Sequence, residues 1–158
     1  ARFIVDNQGV DGGWYDEEFH PSGVEITAHL IQDALIADLA MEEQISGIRE
    51  SCTKGAKKLY EWQASDGSWD GENVDHTMDC TRSLMVVTRL LGNAQGEETI
   101  LRGLRWVLDN KNANGWGDFP DMETNLERTC DGIDTLLKYK AFRSTDSQEV
   151  VRLWGYVP

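Results

Sequence analysis

The densest gathering of reactive side chains is Asp75-His76-Thr77-Met78-Asp79-Cys80-Thr81-Arg82-Ser83, which brings together two carboxyls, an imidazole, a thiol and a guanidinium. A carboxyl in such a stretch is kept protonated by an apolar site or held ionised by a neighbouring cation. Arg82, close behind Asp79 on the same helix, pulls towards the ionised form. Zinc binding is the other chemistry these types allow, with Asp75, His76, Cys80 and the distant Cys130 as donors. Yet Asp79-Cys80 and Cys130-Asp131 are adjacent pairs, and neighbours on a helix point about 100° apart, a poor grip on one ion. The expectation is therefore core cysteines, no metal and no cofactor. Asp16 to His20 lacks the last acid of a magnesium-binding acidic run, and no Gly-rich phosphate loop, Gly-x-Ser-x-Gly or His-Glu-x-x-His is present. His20, beside Pro21, reads as exposed in a connection, and His29 as a packed residue within a helix.

The elements that must position these residues repeat. Gln8, Gln63 and Asn110 each precede a tryptophan, Trp14, Trp69 and Trp116, by the same short interval. Recurrence at this spacing is the mark of paired helices with two connections per repeat. Outer helices are expected over Phe3 to Asn7, Ser46 to Trp62 and Glu97 to Asp109. Inner helices are expected over Val24 to Leu39, Met78 to Leu91 and Leu126 to Tyr139. Polar turns with glycine join them, and Ser83 to Leu91 is apolar almost all round, as in a helix enclosed by others. The chain thus reads as all-α: three helical hairpins over about 1–44, 45–95 and 96–142. A partial fourth, 143–158, opens at a Thr145-Asp146 cap signal. In this register Glu25, Asp79 and Glu127 each stand two residues before a threonine, in the first turn of an inner helix. Free backbone N–H groups there stabilise a carboxylate by about 0.3–1 kcal/mol, a structural role.

Lys54, Gly55, Leu59, Gln63, Gly67 and Trp69, with Arg102, Gly103, Trp106, Asn110 and Trp116 and the half-set Gln8, Gly12 and Trp14, resemble the QW repeats of the terpenoid cyclase and protein prenyltransferase superfamily. That resemblance implies an α/α toroid, of which three hairpins would make half of a six-hairpin ring. It implies that Gln63 hydrogen-bonds at the start of the next inner helix and that the tryptophans pack across the join. Asp79-Cys80-Thr81 resembles the Asp-Cys-Thr of oxidosqualene cyclases. This implies Asp79 as the proton donor of a cyclisation, Cys80 orienting it, and His76 as a supporting partner. Asp66 to Asp75 is similar to a stretch of prenyltransferase β subunits, whose Asp-x-Cys zinc pair does not occur here.

A net charge of -13 argues against nucleic acid and anionic lipid as partners. Three cysteines without a close pair point to a reducing, cytoplasmic setting, and no apolar run is long enough for a membrane span. Half-rings of helical hairpins present concave surfaces that bind proteins, peptides or apolar ligands. The leading expectation is such a binding or scaffolding module, reading its partner through Glu25, Arg82, Glu127 and Arg128 at the inner-helix ends. Its ragged ends suggest a piece of a longer protein that self-associates or gains hairpins. An enzyme acting on an isoprenoid-like ligand through Asp79 is the alternative.

Overall fold

The computed structural model describes residues 2–16, 22–41, 45–92 and 96–144. The expected fourth-repeat helix and His20 lie outside them. Among the described residues six helices follow in order: α1 (Arg2–Asp6), α2 (Val24–Ala40), α3 (Ile48–Trp62), α4 (Val74–Leu91), α5 (Gly96–Asp109) and α6 (Leu126–Phe142). The described residues contain no strand; Asn112 and Gly115 form an isolated bridge. The protein is all-α, as its apolar periodicity implies.

The helices pack in a regular way. Inner helices α2, α4 and α6 form a row, with α4 against both neighbours; α3 lies against α2 and α4, α5 against α4, and α1 against α3. Enclosure by four helices explains the unbroken burial of Thr77 to Val87 on α4. The apolar stretch Ser83 to Leu91 therefore does lie within the bundle for most of its length.

The start of α4 corrects one expectation. The helix begins at Val74, a turn ahead of Met78, because the side chain of Asn73 accepts a hydrogen bond from the backbone of His76 at 3.0 Å. Asn125 caps α6 in the same way, accepting from Arg128 N at 2.8 Å. The true internal match is thus Gly23-Val24-Glu25-Ile26-Thr27 with Asn73-Val74-Asp75-His76-Thr77 and Asn125-Leu126-Glu127-Arg128-Thr129. Asp75, not Asp79, stands with Glu25 and Glu127 in the first turn. Asp79 lies a turn deeper, in register with His29 and Asp131.

The three threonines explain the register. The backbone N–H of Trp14, Trp69 and Trp116 donates to Thr27, Thr77 and Thr129 hydroxyls at 2.9, 3.0 and 3.3 Å. Each indole N–H donates to a carbonyl of the outer helix just before it: Ile4, Leu59 and Val107, at 2.8, 2.8 and 2.6 Å. One tryptophan so ties the end of an outer helix to the start of its inner partner, and all three rings are buried. Each removes about 150–250 Å² from water, about 4–6 kcal/mol on the usual area coefficient.

The glutamines join one repeat to the next, though not at the place expected. Gln8 Nε2 donates to the Ser51 carbonyl of α3 at 2.8 Å, and Gln63 Nε2 to the Thr99 carbonyl of α5 at 3.0 Å. The contact is with carbonyls early in the next outer helix, rather than with orphan N–H groups of the next inner helix. Gln63 Oε1 also accepts from Arg102 Nη2, the basic residue of the following repeat. Glycine is needed at this crossing. A Cβ on Gly55 would meet the Trp14 ring at 2.6 Å, and one on Gly103 the Trp69 ring at 3.0 Å. Asn110, with a shorter side chain, instead turns back to its own helix, donating to Trp106 O at 2.9 Å.

Candidate functional site

The N-terminal ends of α2, α4 and α6 lie side by side and bring most of the sequence candidates together. From α2, His29 Nε2 lies 2.9 Å from Asp79 Oδ2. Asp79 Oδ1 accepts from Arg82 Nη2 on the same helix. Arg82 Nη1 reaches across to α6, 3.3 Å from the Asp131 carbonyl and 3.4 Å from both Asp131 Oδ1 and Asp134 Oδ2. The helical spacing of Asp79 and Arg82 puts both on one face. Their contacts form a continuous polar path over three helices.

A second path returns. Arg128 Nη1 on α6 lies 2.7 Å from Asp131 Oδ2 and 2.6 Å from Asp75 Oδ1 of α4. Its Nε is 3.0 Å from Asp118 Oδ1, and its Nη2 3.3 Å from Glu127 Oε1. Nearer α2, His76 Nδ1 lies 2.7 Å from Asp70 Oδ2 and its Nε2 3.2 Å from Glu25 Oε2. His76 thus bridges α4 to α2 and to the preceding loop. It does not touch Asp79 as a supporting partner would.

Protonation follows from these neighbours. Burial alone would raise the Asp79 carboxyl, but the His29 hydrogen bond and the Arg82 guanidinium outweigh it and hold the group below its ordinary value. Asp79 is an ionised structural carboxylate with two cationic or donor partners. His29 is raised, chiefly by its hydrogen bond to Asp79, against an opposing effect of burial. Asp75 moves the other way: burial and the Asp79 charge push it up to about 6, although Arg128 opposes the rise.

Cys80 is fully buried among the apolar residues of the core, and burial pushes its thiol well above the ordinary range. It packs; it is not placed to orient Asp79. Cys130 is exposed on α6, so the four residues considered for zinc are not gathered. Among the described residues no group of three or more His, Cys, Asp or Glu side chains is placed to hold a metal ion. Nor is any described helix long and apolar enough to cross a membrane.

The structure also brings in residues to which the sequence assigned no part in the site: Asp70, Asp118, Asp131, Asp134 and His29, expected to be packed but with its side chain 53% exposed. A signal existed for three of them. Once the threonines are aligned correctly, His29, Asp79 and Asp131 fall into one column of the repeat. Asp134 follows, since it shares a column with Arg82. Asp118 and Asp70 sit in connections, and only the folded loops reveal their reach. Gln8, Gln63, Trp14, Trp69 and Trp116 lie away from this cluster, in the joints between helices. No family model, curated protein or solved structure shows a significant match to the chain.

Proposed function

We propose that the chain is a helical-repeat recognition module that holds a cationic segment of a protein or peptide partner across its inner-helix ends. The observation that carries this reading is the ionised, doubly partnered Asp79. Proton-initiated cyclisation needs that carboxyl protonated and facing substrate, whereas here it anchors a network. At these helix ends Arg82 and Arg128 are already matched by carboxylates. Among the outward side chains here the carboxylates Glu127, Asp118 and Asp134, 79%, 50% and 43% exposed, outnumber the half-exposed imidazole of His29. On a chain of net charge -13 such a rim favours a positive partner and steers its approach.

An α/α-toroid-like arrangement of three hairpins agrees with the row of inner helices and with outer helices packed behind it. Kinship with the terpenoid cyclase and prenyltransferase superfamily is supported by the recurring Gln–Gly–Trp joint. The three free thiols suit a reducing compartment such as the cytoplasm.

The test is fluorescence anisotropy with a labelled Lys/Arg-rich peptide, an acidic peptide of equal length, and a salt series. The reading expects saturable binding of the basic peptide only, weakening with salt. Glu127→Lys with Asp118→Lys should weaken it at least tenfold with the helical fold retained by circular dichroism, although losing the Asp118–Arg128 contact lowers the thermal midpoint. Absence of binding, or indifference to the charge reversals, would refute it.

A further inference from the structure

A second surface, on the far side of α6, is marked out by the repeat itself. Once the inner helices are aligned on Thr27, Thr77 and Thr129, four positions form one stripe down each. On α2 they are Val24, Ala28, Ile31 and Leu35, exposed by 5%, 0%, 0% and 2%. On α4 they are Val74, Met78, Thr81 and Met85, at 1%, 0%, 0% and 0%. On α6 they are Leu126, Cys130, Ile133 and Leu137; the three large apolar residues are exposed by 81%, 52% and 48%, and Cys130 is exposed as well.

What covers the stripe elsewhere is an outer helix crossing at a glycine. A Cβ on Gly55 of α3 would lie 3.0 Å from Ile31, and one on Gly103 of α5 would lie 2.5 Å from the Thr81 hydroxyl. Ile133 holds the position of Ile31 and Thr81, yet no described helix crosses it. Trp116 has found other cover, since its ring lies against Gly132 of its own inner helix. The join is therefore sealed at the tryptophan and bare along the stripe. Asn110, folded back on its own helix, makes no inter-repeat hydrogen bond among the described residues.

We infer that the Leu126–Cys130–Ile133–Leu137 stripe is a docking surface for one amphipathic helix of a partner polypeptide, with glycine where it crosses Ile133. The two seated copies of this joint, α3 on α2 and α5 on α4, define the occupant: a helix whose basic residue is followed directly by that glycine, as in Lys54-Gly55 and Arg102-Gly103. Close approach at the glycine lets the stripe bury apolar surface, and helix-in-groove recognition works by such anchors. This surface is independent of the acidic rim, so either inference can fail without the other.

The stripe carries its own reporter. Cys130 is exposed within it, whereas Cys52 and Cys80 are buried. Maleimide labelling of Cys130 in the full chain should be fast. It should slow at least tenfold at saturating concentrations of a synthetic α5 peptide (residues 96–109). A Gly103→Leu peptide should give little protection, and the Ile133→Glu/Leu137→Glu protein should lose it with an unchanged melting temperature. Three results would overturn the inference. The free chain could already be slow to label at every protein concentration, its own residues covering the face. Protection could rise with protein concentration alone, giving the face to a second copy. The α5 peptide could fail to protect, or protect no better than its Gly103→Leu form.

Discussion

At the scale of residues, Asp79 decides how the inner-helix ends are understood. It and Arg82 are both almost fully buried, so removing one charge leaves the other uncompensated. Asp79→Asn should cost about 3–5 kcal/mol in chemical denaturation, while Glu127→Gln, mostly exposed, should stay within about 0.5 kcal/mol. Pairing Asp79→Asn with Arg82→Met should recover part of the loss, because the guanidinium is then no longer a buried charge without its main partner. The pH dependence has two signs. His29 is raised in the folded state, so its pairing contributes fully below about 6.5 and fades as pH rises through the folded value. Asp79 is lowered, so its contribution holds above 3.8 and is lost as pH falls through the folded value. His29→Gln should therefore flatten the decline of stability from mildly acid to alkaline pH and also shrink the acid limb, since Asp79 then keeps only Arg82 to lower it, a difference thermal melts across pH will display.

At the scale of elements, the joints should rank by how many partners each side chain serves. Gln63 bridges Gly67, Thr99 and Arg102, so Gln63→Ala should cost about 1–3 kcal/mol. Asn110→Ala, losing one bond within its own helix, should cost about 1 kcal/mol or less. Gly103→Val would drive a side chain into the Trp69 ring and the Thr81 hydroxyl and should exceed both. Guanidinium titrations of the three variants test that order. The helices were legible in sequence because apolar spacing and recurring tryptophans survive without context. The start of α4 was not, because Thr77 and Thr81 are one turn apart and either can serve as the repeat's threonine. Choosing Thr81 moved the frame and put Asp79 where Asp75 belongs. Asn73 held the correction: Asn73 and Asn125 each stand four residues before the right threonine. The partners of the glutamines were out of reach for another reason. An amide side chain both donates and accepts, and only the folded chain shows which helix end it meets.

At the scale of the whole molecule, stability should be graded along the array rather than uniform. Helix α4 touches four others, whereas α1 is short and packs on α3 alone among its substantial contacts. Amide hydrogen exchange should show the slowest opening in α4, from Thr77 to Val87, and the fastest in α1. The outward half of α6 should follow α1, since its apolar stripe has no neighbour among the described residues to bury it. The array thus offers two surfaces of opposite chemistry: an acidic rim at the inner-helix ends and an apolar edge along α6.

The distinction of these helix ends from a catalytic cavity depends on Asp79 being charged. The most direct test is a carbon-13 NMR titration of the Asp79 side-chain carboxyl in the intact chain. The account predicts an ionised carboxylate throughout the neutral and mildly acid range, with its midpoint below the ordinary aspartate value. An Asp79 that remains protonated at neutral pH would contradict it and return the residue to the role of proton donor.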